Sequence, residues 1–126
     1  MELVTEVYRL TESFPQREMY GLTRQIRDAA ISVPSNIAEG RGRRTTRDYL
    51  SFLYRARGSL FETETQMDIS RNLGYLPEPL HQVLRNSAAE VARPLNGLIA
   101  SLERKLDPDR RPPTADRLEP DAPDDH

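Results

Sequence analysis

Between Leu3 and Leu106 apolar residues recur at alternating spacings of three and four, the periodicity of one face of an α-helix. Leu3, Val7, Leu10 and Phe14 form the first stripe. Pro15 closes it, because a residue before proline is driven out of the α region. A second helix is predicted from near Arg17, with Leu22, Ile26, Ala29, Ala30, Val33 and Ile37 along one face. Pro34 falls inside that pattern. It removes one amide donor and crowds the carbonyl of Ala30, so a kink is expected. Ser32, Ser35 and Asn36 are placed to bond the carbonyls that a kink frees, and Gly40 and Gly42 should end the helix.

Thr45 and Thr46 are candidate N-caps for a third helix, and Asp48 three residues after Thr45 approximates a capping box. Its stripe runs Tyr49, Leu53, Ala56, Leu60, Thr63, Met67, Ser70, and Phe52, Phe61 and Leu73 are expected to widen it. Gly58 lies in mid-helix, where glycine costs about 1 kcal/mol relative to alanine, so close approach of a neighbouring backbone is expected there. Gly74 and Pro77 stop the pattern. The fourth stripe follows Glu78-Pro79 and runs Leu80, Leu84, Ala88, Val91, Leu95, Leu98, Leu102, Leu106, with a bend expected at Pro94.

Four amphipathic segments with short connections predict an all-α fold, an antiparallel up-and-down four-helix bundle over residues 1–106 with a short first helix. The third and fourth helices would each span about 42 Å at 1.5 Å per residue. A shorter first helix leaves part of their apolar faces uncovered. Tyr8, Tyr54, Phe61 and Tyr75 are candidates for that surface, and a homo-oligomer is expected to close it.

Composition changes the picture at one end. Residues 107–126 hold five of the ten prolines, seven acidic groups and a single large aliphatic, Leu118. Such a segment cannot bury enough apolar surface to offset its chain entropy, so a disordered acidic tail is predicted. Without it Lys+Arg falls from 18 to 15 and Asp+Glu from 20 to 13, and a formal charge of -2 becomes about +2 for the body. Seventeen of the eighteen basic residues are arginine. Arginine makes planar, bidentate contacts with phosphate and carboxylate, although a compositional bias toward arginine gives the same count. Cysteine is absent, which excludes disulfides and thiolate metal sites. No apolar run approaches the roughly 20 residues of a membrane span, and the start does not read as a signal peptide, so a cytoplasmic protein is expected.

The chemistry the sequence offers is narrow. Asn36, Glu39 and Glu62 are the polar residues nearest the apolar stripes, read either as a carboxylate site inside the bundle or as structural partners. In the structural reading Glu39 and Glu62 pair with arginines such as Arg43, Arg57 or Arg24, and Asn36 caps kinked backbone. No Glu-x-x-His occurs, so bundle metal ligation is not supported; no metal and no cofactor are expected. No nucleophile stands beside a histidine, and no phosphate-binding loop is present, so the chain does not read as an enzyme. Arg41, Arg43, Arg44 and Arg47 place four positive charges within seven residues, followed by Arg55 and Arg57. They are the candidate nucleic-acid contacts, for RNA or DNA; the acidic tail would compete for them. The competing reading is a protein-interaction scaffold whose arginines only form salt bridges.

The run from Phe14 to Gly40, FPQREMYGLTRQIRDAAISVPSNIAEG, closely resembles a family of small bacterial proteins encoded in intervening sequences of 23S ribosomal RNA genes. Accessory variability proteins of diversity-generating retroelements belong to the same group. Tyr49-x-x-Phe52-Leu53-x-x-Ala56-x-Gly58-Ser59-Leu60-x-Glu62 and Leu73-Gly74-Tyr75-Leu76 also look like that family. The resemblance implies an antiparallel four-helix bundle that assembles as a homopentamer around a central channel. For the retroelement members it implies nucleic-acid binding and partnership with a reverse transcriptase.

Overall fold

The structure is a computed structural model that describes residues 1–107. The disordered tail expected over 107–126 therefore lies, beyond Asp107, outside the described residues. Helices α1 (Glu2–Thr11), α2 (Leu22–Arg41), α3 (Thr46–Asn72) and α4 (Glu78–Leu106) follow one another, with a 3-10 turn at Gln16–Glu18 before α2.

Each helix packs on its neighbour in sequence, and α1 also meets α4, which closes the ring of a bundle. Gly40 lies against Tyr49 and Phe52, whereas Ser32, about two turns earlier, meets Ser59 through a 2.9 Å hydroxyl–hydroxyl hydrogen bond. Partners on α3 thus advance as α2 is read backwards, so α2 and α3 are antiparallel. Asp68 meets His81 beside the turn and Tyr54 meets Glu103 at the far end, so α3 and α4 are antiparallel too.

The core has two parts. Leu3 and Val7 of α1 close the first over Ile26, Ala30, Val33, Leu60, Met67, Leu84 and Ala88. The second part, Leu50, Leu53, Ala56, Leu95 and Ile99, receives nothing from α1, and Ile37, Tyr49, Leu98 and Leu102, themselves partly buried, pack against it. A groove of about 300 Å³ lies there, lined by Met1, Ile37, Val91, Pro94, Leu95 and Leu98 together with Arg41 and Glu90. The short first helix does leave apolar surface uncovered.

Several local expectations are corrected. α1 stops at Thr11, short of Phe14; past it the backbone tightens to i→i−3 bonds, with the Glu12 amide donating to the Arg9 carbonyl and the Phe14 amide to the Thr11 carbonyl. α2 begins at Leu22, after Gly21 at φ -111° and ψ -111°, not near Arg17. Pro34 and Pro94 do lie inside α2 and α4, as the stripes placed them. Of the three polar residues near Pro34, Asn36 bonds backbone, its Nδ2 donating to the Ser32 carbonyl at 2.8 Å. That carbonyl is two residues past the one the proline orphans, so the side chain stiffens the turn and does not repair it. Phe61 and Leu73 are exposed and do not widen the core. Tyr75 is taken up within the chain, against Phe14 and hydrogen-bonded to Glu18.

The first turn of α4 is rotated by one position from expectation: Leu80 is exposed and His81 is buried. The Asp68 carboxylate, 2.8 Å from His81 Nε2, supplies the polar partner that an interior imidazole needs. The close approach assigned to Gly58 occurs instead at Gly40. A Cβ on Gly40 would come within 2.9 Å of Tyr49 Cδ1 and 3.0 Å of Phe52 Cβ, whereas one on Gly58 would meet nothing within 4 Å.

Candidate nucleic-acid interface

The arginine-rich corner is built by the tight α2–α3 connection. Gly40 lets α3 start close against α2, and Gly42 caps α2 without leaving ordinary backbone space. Thr45 adopts an extended conformation and its Oγ1 accepts from the Asp48 amide at 3.1 Å, which fixes where α3 begins. Arg43 and Arg44 therefore fall in the connection and Arg47 in the first turn of α3.

The six arginines do not form one patch. Arg43 donates to Glu39 Oε2 at 2.8 Å and places its guanidinium 4.5 Å from the Phe52 ring centre. Arg55 also stacks on Phe52, at 4.6 Å, so this ring gathers two cations from different elements. Arg57, two residues on, is about 200° further round the helix. It stacks on Tyr54 at 5.4 Å, whose hydroxyl donates to Glu103 of α4 at 2.6 Å. Arg41 lines the apolar groove with α4 residues. Arg44 and Arg47 are exposed and make no hydrogen bond or ion pair among the described residues. The usable cationic surface is thus Arg43 and Arg55 over Phe52, with Arg44 and Arg47 beside it in sequence and exposed.

The polar residues resolve differently. Glu39 forms the expected pair with Arg43, but on the surface, with both side chains about half exposed. Glu62 is exposed and forms no ion pair among the described residues, and Arg24 pairs instead with Asp28 at 3.5 Å. Among the described residues no cluster of three or more His, Asp or Glu side chains could hold a metal ion. Sequence reasoning missed Phe52 and Tyr54 as stacking platforms. The signal was present: each stands three residues before an arginine, a spacing that juxtaposes side chains on a helix.

With this corner in place, one comparison is decisive. The sequence profile of the 23S rRNA-intervening sequence protein family matches residues 1–97. The chain belongs to that family. The matched region takes in α1, α2, α3, most of α4 and all six arginines. No curated protein matches the chain in sequence. The family's name records where its members are encoded, and the helical bundle is the part of the resemblance that the structure bears out. Among the described residues no helix is long and apolar enough to cross a membrane.

Proposed function

We propose that this member of the 23S rRNA-intervening sequence protein family is a non-enzymatic, cytoplasmic helical bundle that binds RNA through its α2–α3 corner. The observation that supports this reading most is the pairing of exposed cations with an aromatic platform. Arg44 and Arg47 are available for phosphates, while Phe52 holds the guanidiniums of Arg43 and Arg55 within 4.6 Å. Stacked guanidiniums lose less freedom when they engage phosphate, and planar forks suit its geometry.

The same reading includes self-association. Tyr54, Phe61 and Ile69 are exposed along the outer side of α3, with Gly58 open between them. A face of that kind on a soluble helix asks for a cover, and a second copy supplies it at high local concentration of arginines. A ring of five, as the resemblance implies, repeats the corner around one axis.

A filter-binding titration with single-stranded RNA across salt concentrations tests the proposal. With about 0.7 counterions released per phosphate contact, replacing Arg43, Arg44 and Arg47 by alanine should reduce the log–log salt slope by about 2. Sedimentation should show an oligomer at micromolar concentration that Phe61→Glu dissociates. Salt-independent or absent RNA binding by the wild-type chain would overturn the RNA reading and leave a protein scaffold whose arginines only form ion pairs.

A further inference from the structure

The start of α2, some 14 to 17 residues from the arginine corner, carries a second feature. Tyr8 of α1, Tyr20 before α2, and Thr23, Arg24, Arg27 and Asp28 in the first turns of α2 line an open cavity of about 290 Å³. At 1.5 Å per residue this site lies on the order of 20–25 Å along the helix from Arg41.

Its walls are prearranged. The Arg27 guanidinium lies 4.6 Å from the Tyr8 ring centre, its Nε donates to Thr11 Oγ1 at 2.8 Å, and NH2 donates to the Tyr8 carbonyl at 3.4 Å. Three contacts from α1 thus hold a flat cation in place before anything binds. Tyr20 is the opposite case. Its side chain is 87% exposed, so packing within the chain gives no reason for an aromatic there. At the floor, Thr23 is only 2% exposed and its Oγ1 has no hydrogen-bond partner among the described residues.

We infer that this cavity takes one unstacked base of a single-stranded nucleic acid. Tyr20 and the Arg27–Tyr8 pair supply stacking faces; the exposed Arg24–Asp28 pair at 3.5 Å opens, Arg24 meeting a neighbouring phosphate and the Asp28 carboxylate accepting from base N–H groups. Every base has a π-face, so aromatic rings and guanidinium planes hold splayed bases without regard to sequence. The volume lies at the lower end of ligand pockets and suits a base, not an extended strand. A bare anion is a poorer fit, because Asp28 stands in the wall and much of the remainder is aromatic. The inference rests on the nucleic-acid reading above but not on the arginine corner.

The test is anisotropy of a fluorescein-labelled ten-nucleotide oligouridine and of an abasic strand of equal length and charge. Wild type should bind the base-bearing strand more tightly. Tyr20→Ala should weaken that binding about 5- to 150-fold with the salt slope unchanged, leave the abasic strand unaffected, and be rescued by Tyr20→Phe. The triple alanine variant at Arg43, Arg44 and Arg47 should instead flatten the salt slope for both strands. Wild-type-like binding by Tyr20→Ala overturns the inference, and so does an equal loss on the abasic strand. A change in sedimentation mass with Tyr20→Ala overturns it as well and assigns the ring to a contact between copies. If the wild-type chain binds neither strand, this inference and the proposed function fall together. If binding responds only to the arginine variant, the proposed function stands and the base pocket falls.

Discussion

Leu53, Ala56, Leu60 and Met67 on one side of α3 are sealed from water, whereas Tyr54, Phe61 and Ile69 on its other side remain 40%, 59% and 42% exposed. Both sides are apolar and both follow helical spacing. The first is core because α2 and α4 flank it; the second stays open to water at Phe61 and Ile69, although the Tyr54 hydroxyl reaches Glu103 of α4. The two glycines divide in the same way. Gly40 sits where two helices are pressed together, and Gly58 sits on the open side. An apolar stripe thus marks a face that gains from being covered, and only packing tells whether this chain covers it.

The sharpest way to break that comparison is a matched pair of truncations. Leu60→Ala should cost about 2–5 kcal/mol in urea unfolding, because it removes buried methyl groups and leaves a cavity. Phe61→Ala, at dilutions where the chain is a single subunit, should stay within about 1 kcal/mol of wild type. Equal losses at the two sites would erase the distinction between the faces. A cost at Phe61 that grows with protein concentration would sharpen it, because that dependence marks a binding partner.

Gly40→Ala should cost about 1–3 kcal/mol, since its methyl would press on Tyr49 and on the Cβ of Phe52. Thermal melting of this variant reads how rigid the α2–α3 contact is; an unchanged midpoint would show that α3 can move aside. Thr45→Ala should cost about 1 kcal/mol by orphaning the Asp48 amide, measured by the same unfolding titration. The smallest effect is expected at Gly58→Ala. In the isolated subunit it should stabilise α3 by about 0.5–1 kcal/mol, because alanine loses less backbone freedom and nothing stands in its way. Destabilisation there would place an unexpected neighbour against the open face.

Much of the fold is legible in the residue spacing. Pro15, Gly74 and Pro77 punctuate helical spacing strongly, and the Thr45 cap was readable from its residue type. Gly74, at φ +82°, forms the end of α3 with Tyr75 and Gly74 amides turned back to the Ser70 and Arg71 carbonyls. What the spacing could not place was the rotation of the stripes. Leu80 and His81 compete for one inward position, and Asp68, a residue from another helix, decided it. The candidate site was legible as charge and not as geometry. Arg55 and Arg57 look adjacent on paper but stack on different rings, on sides of α3 about 200° apart.

By itself the sequence determined the number and order of the helices, the Thr45 cap and the Gly74 stop of α3, the arginine content of the α2–α3 corner and the family. Those properties depend on backbone preferences and on spacing within one element, which are local. The tertiary structure alone decided which apolar face of α3 is core, why Gly40 must be glycine, and how six arginines divide among Phe52, Tyr54, the α4 groove and the surface. Each of those outcomes needs atoms from a second helix, and the distance between helices is not written in the spacing of either one.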